Sequence, residues 1–157
     1  MLKLFVIFVL GLTYQSTFAA SWEVLERDSR LQLFRLRTNP HVYAAITRRS
    51  DERIPALVSE LARGNLGLLV EKRAAGMGLI GVTDWQASTA RWLEDARGVQ
   101  IEGNYRDHKA QPVEFIEYHF YQQEASIQIL VTAPTSELAR HRREIQELVE
   151  LQRGGKP

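Results

Sequence analysis

The sequence contains no cysteine, which excludes disulfides, zinc–thiolate sites, a cysteine nucleophile and a lipidated N-terminal cysteine. It also lacks internal repeats, low-complexity segments and a linker rich in Pro, Gly or Ser, so nothing indicates a boundary between two domains. Beyond the N-terminal segment, no apolar run approaches the roughly 20 residues that a membrane-spanning helix needs. About 137 residues follow that segment, and without cross-links they must be held together by one hydrophobic core.

An excess of charge of either sign is also missing. The chain has 20 Lys and Arg against 19 Asp and Glu, and the two counts become equal once Lys3 is removed with the N-terminal segment. A balanced charge argues against nucleic acid as a partner. Arginine pairs such as Arg48-Arg49 and Arg142-Arg143 are interpreted as solvated surface, which is the usual setting of charged residues in small domains.

The first 20 residues have the three parts of a secretory signal peptide. Lys3 precedes an apolar run over residues 4–12, and Thr17-Phe18-Ala19 places small side chains where a signal peptidase reads them. We therefore expect residues 1–19 to be removed by cleavage after Ala19. Cleavage after Ala20 is the second choice, because it would put Phe18 where a small residue is required. The apolar run is too short for an anchor, so we expect a soluble protein, periplasmic or secreted.

The remainder predicts one α+β domain over residues 20–152, with a disordered tail at 153–157. Apolar residues that alternate with polar ones predict a hairpin, a third strand and then a three-strand antiparallel meander. The meander follows from the short polar connections between its strands. The predicted strands are 22–26, 31–37, 42–47, 99–105, 113–121 and 127–131.

Two helices are predicted beside these strands. The first covers residues 50–63, where Ser50-Asp51-Glu52 offers a cap and Pro55 suits a first turn. The second follows Pro134, is capped by Thr135 or Ser136, and is amphipathic. Its apolar side consists of Leu138, Ile145, Leu148 and Val149, and its polar side of Arg140, Arg142, Arg143 and Glu147. A helix that must bury such a stripe predicts an antiparallel sheet flanked by helices.

Residues 66–96 show no clear period, and they contain a literal GxGxxG at Gly76, Gly78 and Gly81. A dinucleotide site needs a buried strand immediately before the first glycine, but the charged residues 71–75 are unsuited to one. We therefore predict a flexible loop or a closely approached backbone here, and no cofactor. The four histidines show no ligand spacing that predicts a metal site, and no segment has the pattern of a serine nucleophile. No catalytic residue is assigned.

Three segments of the C-terminal part carry a resemblance to a known family. Gly103-Asn104-Tyr105, Glu117-Tyr118-His119-Phe120 and residues 127–131, followed by the helix over 136–151, resemble the C-terminal half of the PsbP/DcrB-like family. In that family an antiparallel sheet is flanked by helices, and the known roles are mostly accessory, chaperone-like or in assembly, without catalysis. The resemblance covers about a third of the chain. It implies a non-enzymatic binding protein and names no site residues.

A second resemblance lies at the other end of the domain. Trp22-Glu23-Val24-Leu25, the strand over 31–36 and Tyr43-Ala44-Ala45-Ile46-Thr47, followed by a helix, look like the opening of a START-type lipid-binding domain. That fold encloses an apolar cavity under a long C-terminal helix. The resemblance implies a carrier of a hydrophobic ligand or lipid. It is the alternative, because the glycine-rich middle and the short chain fit it less well.

The strand over 113–121 supplies the candidate binding site. Its more apolar set, Ile116, Tyr118 and Phe120, is assigned to the core under the C-terminal helix. The alternate set then points outward and holds two aromatic residues, more apolar surface than solubility requires. With the charged loop at 106–109, it predicts a partner-binding site made of Phe115, Glu117, His119, Tyr121, Arg106 and His108.

The same outward face allows other interpretations. Glu117 and His119 lie two apart on one strand and could act as a base and its orienting group, although a solvated polar strip is the more common arrangement. A helix, such as the one predicted over 50–63, could instead cover this face and make it a second core layer. The sequence as a whole predicts an exported, non-enzymatic protein that binds another envelope or secreted protein.

Overall fold

The computed structural model describes residues 21–50, 66–93, 98–122 and 125–154. These residues form one antiparallel sheet of seven strands, two α-helices and a 3-10 turn, so the fold class is α+β. The elements are β1 Trp22–Arg27, β2 Leu31–Leu36, β3 Asn39–Ser50, α1 Leu66–Leu79, β4 Thr83–Trp92, β5 Gly98–Arg106, β6 Pro112–Gln122, β7 Ala125–Pro134, the 3-10 turn Leu138–His141 and α2 Arg142–Gly154. The predicted signal peptide and residues 51–63 of the predicted first helix lie outside the described residues.

The strands are ordered β1-β2-β3-β7-β6-β5-β4 across the sheet. Strands that follow one another in the chain are paired, except for β3 and β4. Strand β3 pairs with β7 instead, and this pairing joins the N-terminal strands to the C-terminal meander. Ile46 opposes Ile129 in the middle of this pair, and both side chains are fully buried. The sheet is therefore continuous, with its centre at the junction of its two halves.

One face of the sheet is covered by α2. The alternate residues of β3, β6 and β7 that point to this face form a large cluster with Leu138, Ile145, Leu148 and Val149. The predicted assignment of Ile116, Tyr118 and Phe120 to this layer is confirmed, as is the apolar side of the helix. Trp22 belongs to the same layer, and its indole Nε1 donates to the Glu144 carbonyl at 3.2 Å. The first strand is thereby held to the last helix.

The opposite face carries a smaller cluster beside α1, and we call it the α1 face. Val99, Ile101, Phe115 and Tyr121 are its buried members, and Leu66, Leu69 and Val70 of α1 pack against them. A bulge in β4 helps to build this layer, because Ser88 is an extra residue between Ala87 and Thr89. The bulge shifts the alternation by one residue. The cluster is therefore contacted by Trp85 and Ala87 before the bulge and by Ala90 and Trp92 after it.

Several local predictions are corrected by the structure. The C-terminal meander has four strands, because residues 83–92 form β4. The loop predicted around Gly76 and Gly78 is wrong: both glycines lie inside α1, and only Gly81, with a φ of 81°, occupies a turn. The predicted hydroxyl cap is also wrong, since Ser136 has a φ of 72° and Glu137 precedes the 3-10 turn without a side-chain cap. Helix α2 reaches Gly154, two residues into the predicted tail.

Neither helix in the described part of the chain is long and apolar enough to cross a membrane.

Candidate partner-binding face

The two aromatic residues of the predicted site are interior. Phe115 is 1% exposed and stacks on Trp85 with ring centroids 5.2 Å apart, while Tyr121 is 9% exposed. A Cβ at position 103 would overlap the Gln86 carbonyl oxygen and lie 2.9 Å from the Phe115 ring, so Gly103 is needed for the close approach of β4 and of this ring. The expectation that Phe115 and Tyr121 point into solvent is wrong. The alternative, in which a helix covers this face and makes it a second core layer, describes these two residues. The cover includes α1, a helix that the sequence pattern did not predict.

Glu117 lies between these aromatic residues and is fully buried. Its Oε2 accepts a hydrogen bond from Arg73 Nε of α1 at 2.9 Å, and its Oε1 accepts one from Gln128 Nε2 on β7. His119 Nε2 is 2.7 Å from Oε1 without the geometry of a hydrogen bond, so this contact is electrostatic and depends on the protonation of the imidazole. We call Arg73, Glu117, His119 and Gln128 the polar cluster.

The polar cluster keeps Glu117 ionised. Burial by itself raises the pKa of this carboxyl, but the close contact with His119 and the charge and hydrogen bond of Arg73 outweigh it. The pKa of Glu117 therefore lies below its ordinary value. A solvated polar strip is excluded at this position, since the carboxylate has protein partners in place of water.

Tyr121 extends the same row of side chains. Its ring is 6.4 Å from the His119 ring, and its hydroxyl is buried without a hydrogen-bond partner. Burial, followed by the charge of Glu117, raises the pKa of Tyr121 to about 12. The phenol is therefore neutral at physiological pH, and it contributes apolar surface more than chemistry to this layer.

At one end of the α1 face, the residues that the structure describes leave a groove uncovered. There the ends of β3, β5, β6 and β7 border a groove of about 680 Å³, with aromatic and small side chains on its floor and ionisable ones at its rim. We call it the tyrosine groove, with floor residues Tyr43, Tyr105, Val113 and Thr132 and rim residues His41, Asp107 and His108. Tyr43 is 44% exposed and is the most accessible aromatic residue among its floor residues.

The strands and the β5–β6 loop fix these side chains in place. Tyr43 opposes Thr132 across β3 and β7, and its hydroxyl contacts Arg35, whose guanidinium is bonded to Glu23 at 2.6 Å. Burial and the neighbouring Asp107 raise the pKa of Tyr105. Asp107 itself accepts backbone N–H bonds from Gln111 and Lys109, and these bonds lower its pKa. Asp107 therefore brings a negative charge to a rim that also holds His41 and His108.

The predicted site residues thus fall into two places. Phe115, Glu117, His119 and Tyr121 lie together in the covered layer, while Arg106 ends β5 and His108 lies in the β5–β6 loop. His108 is on the groove rim, and Arg106 is exposed and paired with Asp84 at 3.3 Å. The sequence analysis missed Tyr43, Tyr105 and Arg73. Tyr43 could have been found as the exposed alternate of Val42 and Ala44, but its proximity to Tyr105 depends on the β3–β7 pairing.

The chemistry of this face suits recognition. In the described ranges, no three His, Asp or Glu side chains are grouped closely enough to hold a metal ion. In the polar cluster, Arg73 and Glu117 bind each other. The tyrosine groove, in contrast, is lined by two phenol rings, imidazoles and a carboxylate. Tyrosine side chains combine a large apolar area with a polar tip, which is why they are enriched in protein interfaces.

Comparison with other proteins gives a likeness of fold. No family model matches the sequence, and no curated protein matches it. The structure is similar to that of PA94 from Pseudomonas aeruginosa, a protein of unknown function, with a TM-score of 0.56 and 10% identity over 85% of this chain and 86% of that one. At this identity the likeness shows a shared fold and nothing of function.

A protein from Bacteroides thetaiotaomicron aligns with a TM-score of 0.48 and 8% identity, over 79% of this chain and 39% of that one. This likeness adds nothing to the interpretation.

Proposed function

We propose that this chain is an exported, non-enzymatic accessory protein that binds another envelope or secreted protein through the tyrosine groove. The observation that carries the proposal is the groove itself, which is lined by the exposed Tyr43, the partly buried Tyr105, one carboxylate and two imidazoles. Clustered tyrosines with a charged rim match the anatomy of protein interfaces. The pattern of residues 1–20 supports export, and the partner is then a protein outside the cytoplasm.

The described core favours protein contact over the carriage of a hydrophobic ligand. A carrier of the START type holds its ligand in an apolar cavity under the C-terminal helix. Beneath α2, side chains such as Trp22, Phe34 and Ile129 form one continuous cluster with the helix. Helices on both faces of an antiparallel sheet also agree with the PsbP/DcrB-like resemblance, which implies an accessory role.

Substitution in the groove tests the proposal. Tyr43→Asp should leave the melting temperature within a few degrees of the wild type, because this side chain is already 44% exposed. The same change should reduce capture of a partner from extract of the native envelope by at least tenfold, since a charge at the centre of an interface is strongly unfavourable.

Val24→Asp is the matched control, because Val24 is similarly exposed but lies on β1, away from the groove. It should retain the partner. Equal capture by wild type and Tyr43→Asp would contradict the groove as the contact surface. A lipid that remains bound through purification, identified by native mass spectrometry, would favour the carrier in its place.

A further inference from the structure

Two adjacent aliphatic side chains point outward from the turn that joins α1 to β4. Leu79, the last residue of α1, is 89% exposed, and Ile80 is 73% exposed. Single exposed aliphatic residues are common on protein surfaces, whereas two large neighbours with this degree of exposure form a contact surface. We call residues 78–82 the aliphatic tip.

A glycine at the helix end gives the tip its shape. Gly81 has a φ of 81°, the left-handed conformation in which glycine commonly ends a helix. Its N–H donates to the Gly78 carbonyl, and the Val82 N–H donates to the Met77 carbonyl, both at 3.2 Å. The second bond returns the chain to Met77, whose side chain is 3% exposed. The chain therefore folds back on itself here, and the two aliphatic side chains are left on the outside.

The same bonds satisfy backbone groups of the tip. The end of a helix leaves carbonyl groups without partners, and an unpaired polar group is costly in an apolar medium. In the tip, the N–H groups of residues 80–82 all donate to the carbonyls of Met77 and Gly78. A segment whose backbone groups bond within it enters an apolar phase at a lower cost than an open loop.

The tip carries no charge. Residues 74–83 contain no Asp, Glu, Lys, Arg or His. The charges on either side of this segment are paired, Arg73 with Glu117 and Asp84 with Arg106. Transfer of a charged side chain toward hydrocarbon is unfavourable, so the absence of charge makes this segment suited to a lipid environment.

Cationic side chains lie beside the tip. Thr83 pairs with Arg106 across β4 and β5, so the loop between β5 and β6 begins next to the α1–β4 turn. Arg106 and Lys109 are exposed there. Asp107, the acid of this loop, accepts two backbone N–H groups of the same loop, one of them from Lys109. An exposed cation beside an apolar tip is complementary to the anionic headgroups of a bilayer surface.

We propose that the aliphatic tip binds the surface of a lipid bilayer with anionic headgroups, where Leu79 and Ile80 insert at the boundary between headgroups and acyl chains. A convex tip enters this boundary without a matching pocket, which a protein partner would have to provide. The lipid surface is a second contact of the protein. It does not depend on the protein partner proposed for the tyrosine groove.

Sedimentation with vesicles is the first test. The mature chain, residues 20–157, is mixed with vesicles of equimolar phosphatidylcholine and phosphatidylglycerol. Leu79→Gln/Ile80→Gln should weaken binding by roughly tenfold or more, because the transfer of two large aliphatic side chains out of water is lost. Both side chains are exposed, so the melting temperature of this variant should stay within a few degrees of the wild type.

Two further variants separate the tip from general surface effects. Val24→Gln/Leu25→Gln is the matched control, because it removes another pair of adjacent exposed aliphatic residues, on β1. It should bind the vesicles as the wild type does. Lys109→Gln should weaken binding to these vesicles and leave binding to pure phosphatidylcholine unchanged. An equal effect of Lys109→Gln on both kinds of vesicle would contradict the anionic headgroup.

A fluorescent label shows whether the tip enters the bilayer. The chain has no cysteine, so Leu79→Cys carries a single environment-sensitive label. The emission of this label should shift to the blue when vesicles are added, whereas the same label on Val24→Cys should not respond. A label on Leu79→Cys that is already shielded without vesicles, in a protein that sediments as a dimer, would mean that the tip binds a second copy. That result would overturn the proposal.

The tip and the tyrosine groove can fail independently. Tyr43→Asp should bind vesicles as the wild type does, even where it loses the protein partner. Equal vesicle binding by the wild type and Leu79→Gln/Ile80→Gln would overturn the lipid contact, and so would a wild type that does not bind vesicles. If the wild type does not bind vesicles and Leu79→Gln/Ile80→Gln loses the protein partner, the tip belongs to a protein interface instead.

Discussion

Glu117 is a carboxylate without access to solvent, and its surroundings explain how it is tolerated. Transfer of a charge into the protein interior is costly unless the charge is paired and its remaining hydrogen-bond sites are filled. Arg73 supplies the opposite charge from α1, and Gln128 fills the second oxygen from β7. The carboxylate therefore connects a helix to two strands, and each partner depends on the others.

Removal of Arg73 should destabilise the protein strongly. Arg73→Ala leaves Glu117 charged in the interior, and breaking a buried pair in this way costs about 3 to 5 kcal/mol. We expect the lower end of that range, because Arg73 is itself 23% exposed and water can reach its place. Lys72→Ala, at the exposed neighbouring position, is the control and should change the free energy of unfolding by less than about 0.5 kcal/mol. Equal effects in urea unfolding would contradict this account.

The lowered pKa of Glu117 predicts a loss of stability in acid. Its folded-state pKa lies below the ordinary value of 4.5, so the unfolded chain takes up the proton first as pH falls. The stabilisation is complete above that ordinary value and is lost as pH falls through the lowered pKa. Glu117→Gln should be less stable at neutral pH and should lose less on acidification. Urea unfolding of both proteins across this range measures the difference, and parallel curves would contradict the prediction.

The alternation of residues in β6 predicted its two faces correctly, but it could not say what covers the second one. Ile116 and Phe120 were assigned to the core because they are the more apolar set, and α2 does cover them. Phe115 was placed in solvent by elimination. Part of what covers Phe115 is helix α1, which is distant in sequence. Only the tertiary structure could therefore decide whether this face is a binding interface or a second core layer.

At the level of the elements, predictability followed the strength of the local pattern. Strands β1, β2, β3, β5, β6 and β7 alternate clearly and were predicted within a few residues. Helix α1 has three glycines, and Met77 is its one buried residue, so its apolar stripe is weak. Strand β4 is mostly polar, and its bulge at Ser88 interrupts the period of two by which strands are found.

Helix α2, in contrast, has a well-defined buried side, and a single truncation there should be costly. Leu148→Ala removes a fully buried side chain from the layer between α2 and the sheet, so it should destabilise the protein by about 2 to 5 kcal/mol. Gln146→Ala, two residues earlier on the exposed side, should cost less than about 0.5 kcal/mol. Chemical denaturation with far-UV circular dichroism measures both, and a loss below about 1 kcal/mol for Leu148→Ala would mean that α2 packs loosely.

On the scale of the whole molecule, the pairing of β3 with β7 organises everything else. It joins residues 43–50 to residues 125–132 and brings the start of β3 and the end of β7 to the tyrosine groove. No local pattern specifies such a contact, because it depends on how two separate halves meet. The groove could therefore not be predicted from the sequence, although Tyr43 and Tyr105 were visible in it.

The N-terminus of the mature protein is the last property to test. Cleavage after Ala19 would leave Ala20 and Ser21 ahead of Trp22, the first residue of β1. The Ser21 carbonyl accepts the Arg37 N–H at 2.9 Å, so this cut retains the last backbone bond at that end of the hairpin. We expect chain expressed with its own N-terminus and recovered from outside the cytoplasm to have the mass of residues 20–157. Recovery of chain that still begins at Met1 would contradict export by a cleaved signal peptide, and a start at Ser21 would select the second cleavage position.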